Sequence, residues 1–182
     1  MDNPRICTVG HGARPIGALL EILAGAGVDT LVDVRRFPGS RRHPQFGRDA
    51  LAAAVTGAGL TYTWQGETLG GRRQIVAGSR HTALRNAAFA AYADHMDTQA
   101  FRTAVTDLLA RAATDLPAVM CAETLWWHCH RMLIADALVM RGATVEHLLD
   151  AGTRQPHRLT DGVRRDRGGW PVYDAQQALP GL

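Results

Sequence analysis

The run Val119-Met120-Cys121-Ala122-Glu123-Thr124-Leu125-Trp126-Trp127-His128-Cys129-His130-Arg131-Met132-Leu133 decides the fold. Residues 117–122 are almost wholly apolar, as a strand covered on both faces requires. Leu133, Ile134, Ala137 and Leu138 then recur at helical spacing, so a helix is predicted from about residue 127 to residue 141, closed by Gly142. A strand that hands over to a helix in this way belongs to an open α/β protein, where ligands gather outside the carboxyl ends of the strands. The same stretch carries two of the three cysteines, together with a carboxylate, two imidazoles and a guanidinium.

The alternation repeats on either side. Residues 5–9 read as a first strand ending in the turn Gly10-His11-Gly12. Pro15 suits the first helical position, Ile16, Leu19, Leu20 and Leu23 give one apolar face, and Gly27 supplies the stop. Residues 30–34 make a second strand, 48–58 a second helix, and 60–64 a third strand whose alternation places it near an edge. Gly and Arg fill residues 66–85 without periodicity, and irregular stretches of that length in compact domains are usually functional or disordered. Further helices are predicted over 87–95 and after Thr98, a good N-cap, and a fifth strand over 144–148. The expectation is an α/β three-layer sandwich around a mostly parallel five-stranded sheet, Rossmann-like or flavodoxin-like, with strand order 3-2-1-4-5. Residues 1–150 form a single domain, and residues 151–182 an extended C-terminal tail pinned on it by Trp170 and Tyr173.

No apolar run reaches the roughly 18 to 20 residues that span a bilayer. The first residues lack the basic, apolar and cleavage regions of a secretory signal, so a cytoplasmic protein is expected. Three cysteines without regular spacing make no disulfide framework. All 20 basic residues are arginine, and they are unevenly placed. Arg35, Arg36, Arg41, Arg42 and Arg48 lie between Asp33 and Asp49, and Arg72, Arg73, Arg80 and Arg85 between Glu67 and Asp94, with no acid in either interval. Two basic loops on a chain of net charge +3 point to an anionic ligand.

In a parallel sheet, the polar residues just past each strand crowd one edge. These are His11 after the first strand, Asp33 and Arg35 at the second, and Glu67 with the Gly70-Gly71-Arg72 turn after the third. Glu123, His128, Cys129, His130 and Arg131 follow the fourth. Cys129, close to a helix N-terminus and flanked by His and Arg, is the candidate nucleophile or ligand, because those neighbours favour thiolate. Glu123 and His130 are the acid/base candidates. Asp33 and Arg35, two apart on a strand, share a face and can pair with each other. Cys121, inside a buried strand, reads as structural.

His128 and His130 would point to different faces of a helix. The set Cys121, Glu123, His128, Cys129 and His130 also lacks the C-x-x-C or H-x-x-x-H spacing of common zinc sites, so no metal ligand is assigned and the cofactor is left open. A phosphotyrosine-phosphatase loop fails as well, since the sixth residue beyond Cys129 is Ala135 and beyond Cys121 is Trp127.

Several motifs, in order, resemble those of the family described as domain of unknown function 488. They are T-V-G-H-G at 8–12, L-V-D-V-R at 31–35, F-P-G-S-R-R-H-P-Q-F at 37–46, L-G-G-R at 69–72, F-A-A-Y-A-D-H-M at 89–96, M-C-A-E at 120–123, C-H-R-M-L-I-A at 129–135 and P-H-R-L-T at 156–160. Gly12 stands where serine is more usual. The resemblance covers about residues 5–165 and implies the α/β fold and a site at Cys129, His130 and Arg131, without naming an activity.

The expected protein is an enzyme acting on an anionic substrate: a nucleotide, a nucleic-acid-derived compound or a phosphorylated metabolite. Cys129, Glu123, His130 and Asp33 are its catalytic candidates, and His11, Arg35, Ser40, Arg72 and Arg131 its substrate-binding ones. Two alternatives stand beside it. One is a nucleic-acid-binding module using the arginine-rich loops, with Trp64 and Phe37 or Phe46 as stacking surfaces. The other is a metal- or haem-binding protein. The oligomeric state is not set by the sequence.

Overall fold

The computed structural model describes residues 3–39 and 41–174. Along the chain run β1 (Arg5–Gly10), α1 (Ile16–Ala26), β2 (Thr30–Asp33), α2 (Arg48–Gly57), β3 (Thr61–Trp64) and the single turn α3 (Gly66–Leu69). Next come α4 (Ala87–Met96), α5 (Gln99–Arg111), β4 (Pro117–Cys121), α6 (Arg131–Met140), β5 (Thr144–Asp150) and β6 (Thr153–Pro156). A short hairpin of β7 (Arg164–Arg165) and β8 (Pro171–Val172) ends the described chain.

Local chemistry sets the helix ends. Gly27 takes the left-handed conformation (φ 73°) that closes α1. The Asn86 side chain accepts from the backbone N–H groups of Ala88 and Phe89, and the Thr98 side chain from that of Phe101, which starts α4 and α5.

Six strands form the main sheet in the order β3-β2-β4-β1-β5-β6, parallel except for β6. The α/β sandwich is as expected, with two corrections. First, β4 lies between β2 and β1 and so exchanges places with β1 in the expected order. Both are apolar strands buried on both faces, so hydrophobic pattern does not distinguish their positions. Second, the sheet has a sixth strand, drawn from residues expected in the tail. Thr153–Pro156 carries no apolar pattern because all four residues are exposed on an antiparallel edge.

The helices divide between the faces. α1 and α2 cover one with Leu19, Ile22, Leu23, Leu51 and Val55, packed on Cys7, Val9, Leu31, Ala118 and Met120 of the sheet. α4, α5 and α6 cover the other with Tyr92, Phe101, Val105, Leu133 and Leu138, packed on Ile6, Val32, Val119 and Cys121. The chain therefore leaves β1 toward one face and β4 toward the other. These adjacent strands form the switch point, the place where an open α/β sheet parts its connections and leaves a crevice.

The C-terminal segment packs against the α4–α6 face. Trp170 and Tyr173 are buried there, with Trp170 lying between the guanidiniums of Arg102 and Arg141, 5.2 and 5.0 Å from the ring. Truncating Trp170 to alanine is expected to lower unfolding stability by about 3–5 kcal/mol, the range for a buried aromatic. Urea titration followed by circular dichroism measures it, and a loss below about 1 kcal/mol would mean that this segment contributes little to the fold.

Candidate functional site

At the switch point the β1–β4 ladder continues past both strands. His11 N–H donates to the Cys121 carbonyl (3.0 Å) and Gly12 N–H to that of Ala122 (2.9 Å). The chain leaving β4 crosses directly over Gly10, where an added Cβ would lie 2.0 Å from the Glu123 carbonyl oxygen. Gly12 has φ +54°, and a Cβ there would lie 2.4 Å from Thr124 Oγ1. The Gly10-His11-Gly12 turn is thus a crossing point for backbone.

The residues expected in a single crevice separate onto two faces of the sheet, because side chains alternate along a strand. His11, Asp33 and Arg35 lie on the α1–α2 face and are bonded to one another. Arg35 donates from Nε to Asp33 Oδ1 (2.9 Å), from Nη2 to Asp33 Oδ2 (2.6 Å), and from Nη1 to the Phe46 carbonyl (2.7 Å) and His11 Nε2 (3.3 Å). Tyr62 donates to Asp33 Oδ2 (2.8 Å), and His11 stacks on Phe46 with ring centroids 4.0 Å apart. Arg35 is 7% exposed and Asp33 fully buried. Burial pushes the His11 imidazole down to about 4, so it is neutral, and its two nitrogens serve Gly12 O and Arg35.

On the opposite face, Cys121, Cys129 and His130 come together. Residues Trp126–His128 form a 3-10 turn, Cys129 is extended (φ −129°, ψ 150°), and α6 begins only at Arg131. The helix expected from about residue 127 therefore starts later, and its irregular approach swings Cys129 back toward the end of β4. His130 Nδ1 lies 3.6 Å from Cys129 Sγ and 4.0 Å from Cys121 Sγ, and the three donor atoms all fall within 4.8 Å of one another. Both cysteines are free thiols and buried. The Tyr92 ring stands 4.9 Å from that of His130, and a Cβ on Gly71 would lie 3.0 Å from His130 Nδ1. A hydrogen bond from Cys121, then His130 and Arg131, hold the Cys129 thiol well below its ordinary range against the opposing effect of burial, whereas the partner bond and burial push Cys121 well up.

Arg131 is 1% exposed. Its Nη2 donates to the Glu123 carbonyl and, at 3.3 Å, to that of Thr124, while Nη1 donates to Thr8 Oγ1 (3.3 Å). From Thr8 a buried chain runs inward. Thr8 Oγ1 lies 2.7 Å from His147 Nδ1, His147 Nε2 lies 2.9 Å from His157 Nδ1, and His157 Nε2 lies 2.8 Å from Asp136 Oδ1. Tyr173 donates to the other carboxylate oxygen (2.8 Å). A single direction satisfies every link with both imidazoles neutral: each group donates toward Asp136 and accepts from the Arg131 side. Trp126 of the 3-10 turn stacks on His147, centroids 4.1 Å apart and planes 5° apart.

Glu123 and Arg72 are exposed, and Ser40 lies outside the described residues. The Arg131 contact with Glu123 is to the backbone carbonyl and not to the carboxylate. Asp33 and Arg35 do pair. Sequence reasoning passed over Cys121 and the Thr8–His147–His157–Asp136 chain. Cys121 is the last residue of β4, the position nearest the site edge, and Asp136 is the polar interruption in an otherwise apolar run of α6, while His147 is a buried position in the mixed strand β5.

The fold and this cluster define an α/β protein with a thiol–imidazole centre beside the switch point. The family model of domain of unknown function DUF488 matches residues 15–138, and the chain belongs to that family. No curated protein and no solved structure matches. Among the described residues, no helix is long and apolar enough to cross a membrane.

Replacing Thr8 with valine removes both an acceptor and a donor at constant shape. The variant is expected to lose about 2–4 kcal/mol, because His147 and Arg131 are each left with a buried unsatisfied group; Thr8→Ser should lose less than about 1 kcal/mol. Equal stability of the two variants in urea titrations would contradict the chain.

Burial also pushes His147 down to about 3. Below about 6.5 the unfolded chain takes up protons that folded His11 and His147 refuse, so stability is full above that pH and falls on acidification toward 3–4. Together the two approach a slope of about 2.7 kcal/mol per pH unit. Urea midpoints at pH 7, 6 and 5 measure the slope, and a flat profile would mean that neither imidazole is held neutral.

Proposed function

We propose that this protein is a zinc-dependent enzyme acting on an anionic substrate, with Cys121, Cys129 and His130 as its three protein ligands. The observation that carries the proposal is the convergence of two sulfurs and an imidazole nitrogen on one point. Zinc bonds of about 2.3 Å to sulfur and about 2.0–2.1 Å to nitrogen, at a tetrahedral angle, separate S from N by roughly 3.6 Å. The separations here are 3.6 and 4.0 Å. Two soft thiolates with an imidazole suit zinc among the available divalent ions. A divalent cation bound there would also favour the deprotonated form of both sulfurs.

Three protein ligands leave a fourth position for water, the pattern of catalytic zinc sites. Zinc there lowers the pKa of its water and makes a hydroxide nucleophile available at neutral pH. In this assignment Cys129 is a ligand, which suits a sulfur that is 3% exposed better than direct attack on a substrate does. Glu123, exposed two residues beyond Cys121, is assigned as the base that takes the proton from the water. The buried charge of Arg131 offsets the two thiolates.

Protein produced in zinc-supplied medium should carry one zinc per chain by elemental analysis. Replacement by Co²⁺ should give thiolate-to-metal absorption in the near ultraviolet and tetrahedral bands in the visible. Cys121→Ser and Cys129→Ser should each weaken metal binding at least tenfold. Zinc-loaded protein should hydrolyse members of a panel of phosphate esters and anhydrides. Absence of metal and of any cobalt–thiolate band would remove the centre, and a loaded protein inert toward the whole panel would remove the assigned reaction class.

A further inference from the structure

Two of the three arginines expected to clamp an anion are buried and committed elsewhere: Arg35 to Asp33 and the Phe46 carbonyl, and Arg131 to Thr8 and the carbonyls of residues 123 and 124. Of the three rings considered for stacking, Phe46 is buried beneath His11, and Trp64 is covered by the Arg48 guanidinium 4.3 Å from its centroid. One ring and one of the original arginines are left, and the structure brings them together. Phe37 is 64% exposed, the most exposed aromatic among the described residues. The guanidiniums of Arg36 and Arg72 stand 5.6 and 6.0 Å from its centroid, near the outer limit of a cation–π contact and well beyond the 4.3 Å that covers Trp64.

This group is built. Arg36 Nη1 donates to the Arg72 carbonyl (2.9 Å), which ties the loop after β2 to the turn after α3. Arg72 holds a left-handed backbone (φ 57°), which non-glycine residues seldom adopt. A Cβ on Gly70 would lie 2.9 Å from Arg36 Cβ, and one on Gly71 would lie 3.0 Å from His130 Nδ1. Two consecutive residues thus join the Phe37 group to the thiol–imidazole centre.

We infer that Phe37, Arg36 and Arg72 form a subsite for a nucleobase and its phosphate, the base stacked on Phe37 and the phosphate taken by the two guanidiniums. An exposed phenyl ring offers a face to any base, and guanidinium forks suit phosphate oxygens. The subsite's role in a reaction rests on the assignment of Cys121, Cys129 and His130 as the reaction centre; the binding does not. The same chemistry is offered by a free nucleotide and by a nucleotide within a single strand.

Calorimetric titration at low salt with adenosine 5′-monophosphate, adenosine, inorganic phosphate and a single-stranded dodecanucleotide tests the subsite. The monophosphate and the dodecamer should bind, with adenosine and phosphate each at least tenfold weaker than the monophosphate. Phe37→Ala and Phe37→Leu, both surface changes, should weaken the monophosphate and the dodecamer at least tenfold, and Arg36→Gln or Arg72→Gln should lower the salt dependence of binding. Similar affinity for the monophosphate and the dodecamer assigns a free nucleotide; much tighter, steeply salt-dependent dodecamer binding assigns a single strand. Wild type that binds neither at millimolar concentration, or folded Phe37 variants that bind both as wild type does, would overturn the inference. Zinc measured in the same preparations separates the two claims. A zinc-free protein that binds nucleotide through Phe37 refutes the metal centre alone, and a zinc-loaded protein that binds none refutes the subsite alone.

Discussion

A guanidinium buried to 1% exposure, that of Arg131, is the constraint on which the architecture of the site depends. A cation placed there costs several kcal/mol unless its donors and charge are met. Two separate segments meet its Nη donors, Thr8 from β1 and the carbonyls of Glu123 and Thr124 from the exit of β4, while Nε is left without a hydrogen-bond partner among the described residues. The exit of β4 reaches those carbonyl positions only by crossing Gly10, which explains why that residue has no side chain. Thr8 accepts from Arg131 and gives its own proton to His147, and that bond is kept in register through His157 to Asp136. His157 and Tyr173, both C-terminal to β5, thereby help to hold a cation at the N-terminus of α6.

Periodicity made the elements legible. The stripes Ile16-Leu19-Leu20-Leu23 and Phe101-Val105-Leu108, the stop at Gly27 and the cap at Thr98 are local signals, and the structure uses each of them. Strand order was not local. Cys7 and Val9 look toward one helix layer as Ala118 and Met120 do, and Ile6 toward the other as Val119 does. Exchanging β1 and β4 therefore changes no burial pattern. β6 was hidden for the opposite reason: an edge strand with Arg154 and Gln155 in solvent needs no apolar residue, only the unpaired edge of β5.

The site was half legible. Polar residues past the strand ends were the right places to look, but the alternation that betrays a strand also sends neighbouring positions to opposite faces. His11 and Asp33 went to one face, and Cys121 went to the other. Metal spacing rules assume a regular helix or a tight knuckle. Here a 3-10 turn and one extended residue bend the chain so that the residues eight and nine places after Cys121 return to it. No spacing template covers a loop whose shape is set by a distant stack, that of Trp126 on His147.

An all-arginine cation set looked uniform in the sequence, yet its members divide by burial into two kinds of work. Arg35 shows how the kinds connect. Its side chain fixes the Phe46 carbonyl at one end of the loop after β2, its own carbonyl accepts from Trp64 Nε1 (2.9 Å) at the other, and Arg48 N–H closes the loop on the Pro38 carbonyl (2.9 Å). Between those fixed ends Arg36 and Phe37 are held outward, since the inward positions are already filled by Asp33, Arg35 and Phe46. A guanidinium with five donors in a rigid fork can bridge a carboxylate, an imidazole and a carbonyl at once, which an ammonium on a flexible stem does less well. The buried arginines thus hold the loops in place, and the exposed ones, on loops so held, can meet a ligand with little ordering left to do.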